Sequence, residues 1–287
     1  MKKLNQIKKI GVAGAGTMGL GIAQISAMAG FETILYDLSK KQLEIAYHQI
    51  EKNLNKGIEK GKVSEEKKSD ALSRLKISDD QNDLVTDLIV EAIVEKLDIK
   101  KSFFAQLEEI NDQDSILASN TSSIPITRIA VDLKNPERFI GMHFFNPAHI
   151  MKLVEVISGA STDPQVAEIV YELSKKLGKV PVHAKDSPGF IVNRVARHYY
   201  VESLKMLEEG VADVETIDAM LESSGFKMGP FKLMDLIGVD TNFSVTQSMF
   251  ESFHFDSKFR PSRIQQQKAD AGHHGKKSGK GFYDYSK

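Results

Sequence analysis

Residues 10–37 read I-G-V-A-G-A-G-T-M-G-L-G-I-A-Q-I-S-A-M-A-G-F-E-T-I-L-Y-D, and this stretch decides the fold. Residues 10–13 are a short apolar run that ends at glycines. Residues 17–29 then place Met18, Ile22, Ile25 and Met28 on one side at helical spacing, and Gly30 stops the helix. Residues 31–37 give a second strand. Strand, helix and strand within about 30 residues make a βαβ unit, which belongs to a parallel sheet.

The turn between the first strand and the helix is G-A-G-T-M-G. Gly14 permits the tight turn, Gly16 lets the backbone approach a pyrophosphate, and Gly19 allows close helix–strand packing. Thr17 and Met18 open the helix, whose N-terminus attracts phosphates. Asp37 closes the second strand, where an acid accepts hydrogen bonds from a ribose. Gly14, Gly16, Thr17, Met18, Gly19 and Asp37 therefore predict a dinucleotide site. Asp37 repels a 2′-phosphate and so favours NAD over NADP, although Lys40 and Lys41 soften that preference. FAD is a rival for the same turn, but no later segment resembles a second FAD-binding element. A glycine turn that merely packs is the remaining alternative.

Working outward, residues 40–75 are rich in Lys and Glu, with Leu43, Ala46, Ile50, Leu54 and Ile58 three or four apart. Gly61 and Ser64 interrupt the pattern, which predicts a projecting helical hairpin with a solvated charged face. Strands are predicted at 87–90, 115–118, 139–145 and 152–157. Residues 161–164 (S-T-D-P) start a helix that ends near Gly178, and a last strand covers 179–183. Asp186-Ser187-Pro188-Gly189 is a turn-forming cluster and marks a boundary. Beyond it the pattern is helical, at about 190–208, 213–224, 230–237, 239–252 and 261–271. The fold class is α/β: a Rossmann-type doubly wound sheet with a projecting helical hairpin (1–187), followed by an all-helical C-terminal domain (188–287).

The chain has 287 residues, 41% hydrophobic and 27% charged, which suits globular domains with a real core. A net charge of -1 argues against nucleic acid as a partner. With no cysteine there is no disulfide, no cysteine-held zinc and no thiol nucleophile, and a reducing, cytoplasmic location fits. No stretch approaches the roughly 18 consecutive apolar residues of a membrane helix. The basic start leads into a strand and a turn, not a signal peptide. The eight histidines form no ligand cluster, so no metal site is expected.

Two segments carry chemistry: G-M-H-F-F-N-P (141–147) and M-K-L-V-E-V-I (151–157). Strand alternation puts Glu155 on one face with Leu153 and Ile157, and a carboxylate on an apolar face is costly unless paired. His143 lies in the preceding apolar strand, and two strands can bring the pair together. A histidine oriented by a carboxylate is the usual base for taking a proton from a hydroxyl. A buried structural ion pair is the plainer reading. A third segment, S-N-T-S-S-I-P (119–125), follows an apolar strand, and ligands bind outside the carboxyl ends of such strands. Asn120, Ser122 and Ser123 can hydrogen-bond a ligand there, or Ser123 can cap a helix starting near Pro125. Asn193, one turn into the first helix after the boundary, is by itself an ordinary polar residue.

Taken together, G-A-G-T-M-G, V-E-A-I-V-E, A-S-N-T-S-S, G-M-H-F-F-N-P, M-K-L-V-E-V-I, P-G-F-I-V-N-R, M-G-P-F-K-L-M-D-L-I-G-V-D and G-K-K-S-G-K-G-F-Y-D-Y resemble the 3-hydroxyacyl-CoA dehydrogenase family, particularly its short bacterial 3-hydroxybutyryl-CoA members. The resemblance spans essentially the whole chain. It implies NAD-dependent oxidation of an (S)-3-hydroxyacyl-CoA, with His143 as general base and Glu155 as its partner. It implies that Ser122 bonds the substrate 3-oxygen against the nicotinamide and that Asn193 helps hold the substrate's oxygens. Glu95, Lys100, Asn146 and Lys277 match positions that contact NAD. Lys60 and Asn53 fall where the hairpin meets CoA. A homodimer built through the helical domain is implied as well.

The helix after Asn193 departs from the family's apolar pattern. Arg197, His198, Tyr199 and Tyr200 intrude, and Val201 stands where an asparagine is usual. Two other readings stand beside the leading one. One is a Rossmann dehydrogenase of a free 3-hydroxy or sugar acid, which would be expected to set a cation beside the substrate carboxylate. The other is a non-enzymatic NAD-binding protein, which has no need of His143, Glu155, Ser122 and Asn193 together.

Overall fold

The computed structural model describes residues 2–286. The chain divides into two compact units, Met1–Ser187 and Pro188–Lys287.

In the first unit, β1 (Lys9–Ala13), α1 (Thr17–Met28) and β2 (Glu32–Tyr36) form the βαβ unit. α2 (Lys40–Glu59) and α3 (Glu65–Arg74) form the helical hairpin, and Ser39 and Ser64 cap them by accepting from Gln42 N and Lys67 N. Leu43, Ala46, Ile50 and Leu54 are the buried stripe of α2. The sheet continues through β3 (Leu75–Ser78), β4 (Leu88–Glu91), β5 (Ile116–Ser119), β6 (Phe139–Phe144), β7 (Leu153–Ser158) and β8 (Val180–Lys185). Its eight strands run in the order β3-β2-β1-β4-β5-β6-β7-β8. All neighbours are parallel except β6 and β7. The order reverses between β1 and β4, so the carboxyl ends of the strands open on a crevice at that point.

Two elements lie where the sequence predicts none. β3 has only four residues, L-K-I-S, and gains strand form by pairing with β2 at the sheet edge. α4 (Leu97–Ile110) buries Lys100, Phe103, Phe104 and Leu107, a helical spacing that begins with a charged residue. Another expectation needs correcting at α5 (Ile126–Ala130). Ser123 does not cap it. The Asp186 carboxylate takes both free amides, Ile126 N at 2.9 Å and Thr127 N at 2.8 Å. A carboxylate at a helix start outcompetes a hydroxyl because it complements the helix dipole as well as accepting the bonds. α6 (Pro164–Lys176) starts as predicted, with Asp163 as cap and Pro164 in the first turn.

The second unit is helical: α7 (Val192–Glu208), α8 (Val214–Ser223), α9 (Pro230–Ile237), α10 (Val239–Ser252) and α11 (Arg263–Asp270). Tyr200, Leu204, Ile217, Phe231 and Met234 form its core. Two fully buried carboxylates fasten the C-terminal segment to it. Asp218 accepts from Phe231 N, Lys232 N and the Tyr283 hydroxyl at 2.8–3.0 Å. Asp235 accepts from Phe282 N, Tyr283 N and the Tyr285 hydroxyl at 2.9–3.1 Å. Among the described residues no helix is long and apolar enough to cross a membrane.

Candidate active site

The first unit gathers its candidate residues at one end of the sheet: Gly14 after β1, Asp37 after β2, Glu91 at the end of β4, Asn120 and Ser122 after β5, and His143 near the end of β6. β7 runs antiparallel, so its N-terminal half, with Glu155, returns to the same end.

Gly14 has φ +99, and an added Cβ there would lie 2.5 Å from Ala92 O. At Gly19 a Cβ would lie 1.7 Å from Gly14 O, so only glycine lets α1 pack this closely on its turn. Gly16 differs, because a Cβ would meet nothing within 4 Å. Its bare backbone faces open space at the N-terminus of α1, where a pyrophosphate approaches. Thr17 is exposed and Met18 half-buried in that first turn. Beside it lies a cavity of about 890 Å³, lined by Gly14, Gly16, Asp37, Val94, Ile99 and Phe103 among others. Asp37 sits in its wall, accepting from Ala15 N at 2.8 Å and Ser39 N at 2.9 Å. A glycine cradle at a helix start, a fixed carboxylate and a mainly apolar slot fit a dinucleotide. If Asp37 accepts from the cofactor's ribose, Asp37→Ala removes a charged acceptor, and KM for NADH should rise on the order of tenfold or more. Discrimination against NADPH should weaken in step. Steady-state rates with each cofactor check this, and unchanged values would take Asp37 out of the cofactor site.

Glu95 and Lys100 lie in a network that also holds Glu91, which sequence reasoning passed over. Glu91 is fully buried and Lys100 is 1% exposed. The Lys100 ammonium lies 2.5 Å from Glu91 and 3.0 Å from Glu95. Glu91 also accepts from the Ser119 hydroxyl at 2.7 Å and from Ile93 N at 2.8 Å. Burial holds Glu91 above the usual carboxylate range despite Lys100. Burial also opposes the charge on Glu95, but Lys100 and the loop donors outweigh it and hold Glu95 below that range. Those donors are the hydroxyls of Thr121 and Ser123 and the amides of Ser122 and Ser123. Glu95 therefore fixes the loop that carries Ser122. Asn120 braces the same loop by accepting from Phe144 N at 2.9 Å.

His143 and Glu155 are direct register partners across the β6–β7 pair. His143 Nδ1 lies 2.8 Å from Glu155 Oε2, with His143 5% and Glu155 0% exposed. Phe145 lies against the imidazole, ring centroids 4.6 Å apart. The carboxylate on the apolar face of β7 thus finds the partner that the strand pattern required.

The other sequence candidates are more dispersed. Asn146 is exposed, just after β6. Asn53 is half-buried on α2 and bonded to Gln49 and Gln24. Lys60 is exposed at the C-terminal end of that helix. In the second unit, Asn193 is the second residue of α7, and Lys277 pairs with Asp240 at 2.7 Å. The atypical residues of α7 are part of that unit's packing. Arg197 bonds Asn242 and Thr246 of α10, and the Tyr199 hydroxyl donates to Met228 O. Among the described residues no group of three or more His, Cys, Asp or Glu side chains is arranged to hold a metal ion.

Comparison with known proteins agrees with this geometry. The NAD binding domain of 3-hydroxyacyl-CoA dehydrogenase matches residues 9–187, and that family's C-terminal domain matches residues 189–285. The 3-hydroxyadipyl-CoA dehydrogenase of Escherichia coli K12 is 48% identical over 97% of this chain, which spans 59% of that protein's length. A probable 3-hydroxybutyryl-CoA dehydrogenase of Deinococcus radiodurans is 43% identical over 96% of this chain and 100% of its own. The crystal structure of (S)-3-hydroxybutyryl-CoA dehydrogenase from Ralstonia eutropha superposes with a TM-score of 0.94 at 40% identity, covering 98% of this chain and 100% of that one. With a glycine cradle suited to NAD in the first unit and both of the family's domains matched in order, the chain belongs to the 3-hydroxyacyl-CoA dehydrogenase family.

Proposed function

We propose that the protein oxidises the 3-hydroxyl of a short (S)-3-hydroxyacyl-CoA to the 3-oxoacyl-CoA, and catalyses the reverse, with NAD as cofactor. The observation that carries this reading is the buried His143–Glu155 pair at the cofactor end of the sheet, 2.8 Å apart. With Nδ1 committed to Glu155, proton transfer falls to Nε2. His143 takes the hydroxyl proton in oxidation and returns it to the forming alkoxide in reduction. Glu155 fixes the tautomer and stabilises the imidazolium. Ser122, on the loop fixed by Glu95, holds the substrate 3-oxygen, and Asn193 holds the substrate's oxygens from α7. NAD, when bound, accepts the hydride that C3 releases.

In this reading Gly14, Gly16, Thr17, Met18, Gly19 and Asp37 hold the cofactor, with Glu95, Asn120, Asn146 and Lys277 as further contacts, and Lys100, only 1% exposed, acts through Glu95 and not by touching NAD itself. Lys60 and Asn53 meet CoA on the hairpin. Residues 1–187 bind NAD, and residues 188–287 bind substrate and a second copy of the chain in a homodimer. The exposed Val211, Met220, Phe226 and Phe255 support that last assignment. The named substrates of the relatives differ at the far end of the acyl group, where 3-hydroxyadipyl-CoA carries a second carboxylate and 3-hydroxybutyryl-CoA a methyl group.

The deciding assay is initial-rate reduction of acetoacetyl-CoA and of free acetoacetate with NADH. Rapid turnover of the thioester alone is expected. Turnover of the free acid alone would move the protein to the free-acid dehydrogenases.

A further inference from the structure

Ser122 lies in a stretch, residues 120–125, that has no regular secondary structure. A loop holds a side chain in one place only where its backbone is tied down. Here every amide from Asn120 to Thr127 has a partner, Pro125 having none to give. Asn120 N donates to Glu91 O at 2.8 Å, Thr121 N to Ser119 Oγ at 3.2 Å and Ile124 N to Thr121 Oγ1 at 2.9 Å. The amides of Ser122 and Ser123 go to Glu95, and those of Ile126 and Thr127 to Asp186. Two carboxylates thus hold this segment, Glu95 at Ser122 and Asp186 where the loop enters α5.

Asp186 is itself fixed. It directly follows β8, and its own amide donates at 3.2 Å to the carbonyl of Ser158, the last residue of β7. The turn it grips is packed on the strands that carry the proposed base and its partner. Ile126 is fully buried, and a Cβ added to Gly141 or Gly159 would lie 2.7 Å or 3.1 Å from its side chain. Gly141 precedes His143 by two residues on β6, and β7 carries Glu155. Asp186 therefore closes a frame in which the loop leaving β5 is set against β6 and β7. Because α5 has only five residues, its start adds little stability of its own, and the grip matters for what it anchors.

We infer that Asp186 is a positioning residue for the reaction: by holding the start of α5 it sets the Ser122 hydroxyl relative to His143. The inference rests on the dehydrogenase reading and on Ser122 as the group that holds the substrate 3-oxygen. Asp186 acts here through the backbone and not by contact with the reacting atoms.

The test is a double-variant cycle. It measures kcat and KM for NADH-dependent reduction of acetoacetyl-CoA, per NADH-binding site, in the wild type, Asp186→Asn, Asp186→Glu, Ser122→Ala and the Asp186→Asn/Ser122→Ala pair. Asparagine keeps the size but offers one acceptor to two amides. Misplacing a reacting group by about 1 Å can cost on the order of 10²-fold, and with Glu95 still in place kcat should fall on the order of tenfold. KM for NADH should stay unchanged, and Asp186→Glu, which keeps both acceptor oxygens, should recover part of the loss. In the Ser122→Ala background the asparagine change should cost less than about twofold, because its effect passes through Ser122. Equal losses in the two backgrounds overturn the inference, as does an unchanged kcat in an Asp186→Asn enzyme whose Tm has fallen, since either makes Asp186 a helix cap alone. Full activity in Ser122→Ala overturns it too, by removing the group that is positioned. If Asp186→Asn does not fold, Asp186→Glu takes its place in the cycle, with the same criterion of a loss present beside Ser122 and absent beside alanine. No turnover of acetoacetyl-CoA by the wild type overturns the dehydrogenase reading and this one with it.

Discussion

His143→Gln should lower kcat for acetoacetyl-CoA reduction on the order of 10²- to 10⁴-fold, the usual contribution of a positioned general acid or base. Glutamine fills similar space and can still donate to Glu155, so the variant removes proton transfer with little loss of packing. NADH affinity should survive, because the glycine turn and Asp37 follow other strands, β1 and β2. Glu155→Gln tests the other half of the pair. It leaves the imidazole in place but withdraws the negative charge 2.8 Å from Nδ1, and so weakens the imidazolium that must form in oxidation. Its loss should fall mainly on kcat, and pairing it with His143→Gln should cost little more than the histidine change alone, since the two act as a unit. Stopped-flow or steady-state reduction, with NADH binding followed by fluorescence, measures both. A His143→Gln enzyme as fast as the wild type would reduce the pair to a structural contact in the sheet.

Much of this site is local in sequence, which is why it can be read there. The glycine turn, α1 and Asp37 fall within one βαβ unit, whose geometry follows from its own residues. His143 and Glu155 are 12 residues apart on adjacent antiparallel strands, so a carboxylate on an apolar face points to its partner across one short connection. Glu91 is different. At the end of β4 it reads as an ordinary polar strand terminus, and its role becomes visible only once α4, a helix the sequence pattern does not announce, lays Lys100 on it. Ser123, one candidate cap of α5, is displaced for a similar reason. Ser123 is near in sequence, whereas Asp186 is 60 residues from Ile126 and arrives only when β8 has joined the sheet. Arg197 stands out in the sequence as a departure from an apolar pattern, but its anchors, Asn242 and Thr246, lie 45 and 49 residues further on. What the sequence withholds is contact between distant polar residues, because periodicity reports which face is apolar and says nothing of which buried charges meet.

Lys100→Met puts such a contact to the test. The substitution removes the cation from Glu91, which is fully buried, and leaves that carboxylate with only the Ser119 hydroxyl and Ile93 N. Breaking one side of a buried pair costs roughly 3–5 kcal/mol, so Tm near neutral pH should fall on the order of 10 °C. The loss should depend on pH in a defined direction. Burial already raises the Glu91 pKa in the folded protein, and without Lys100 it rises further. Between the ordinary carboxylate pKa and this raised value the folded state binds more protons than the unfolded state, so stability falls as pH rises through that window. The variant should therefore regain stability relative to wild type under mildly acidic conditions, where Glu91 becomes neutral. Glu91→Gln combined with Lys100→Met should recover most of the loss at neutral pH, since no buried charge then remains at that position. The double variant should still have reduced kcat/KM, because Glu95 has lost the ammonium 3.0 Å away and with it part of what holds the Ser122 loop. Thermal unfolding of the wild type and the two variants across pH, followed by circular dichroism, separates the cases. If Lys100→Met shows the same Tm offset from wild type at every pH, the lysine contributes packing alone and Glu91 is not the charge it compensates.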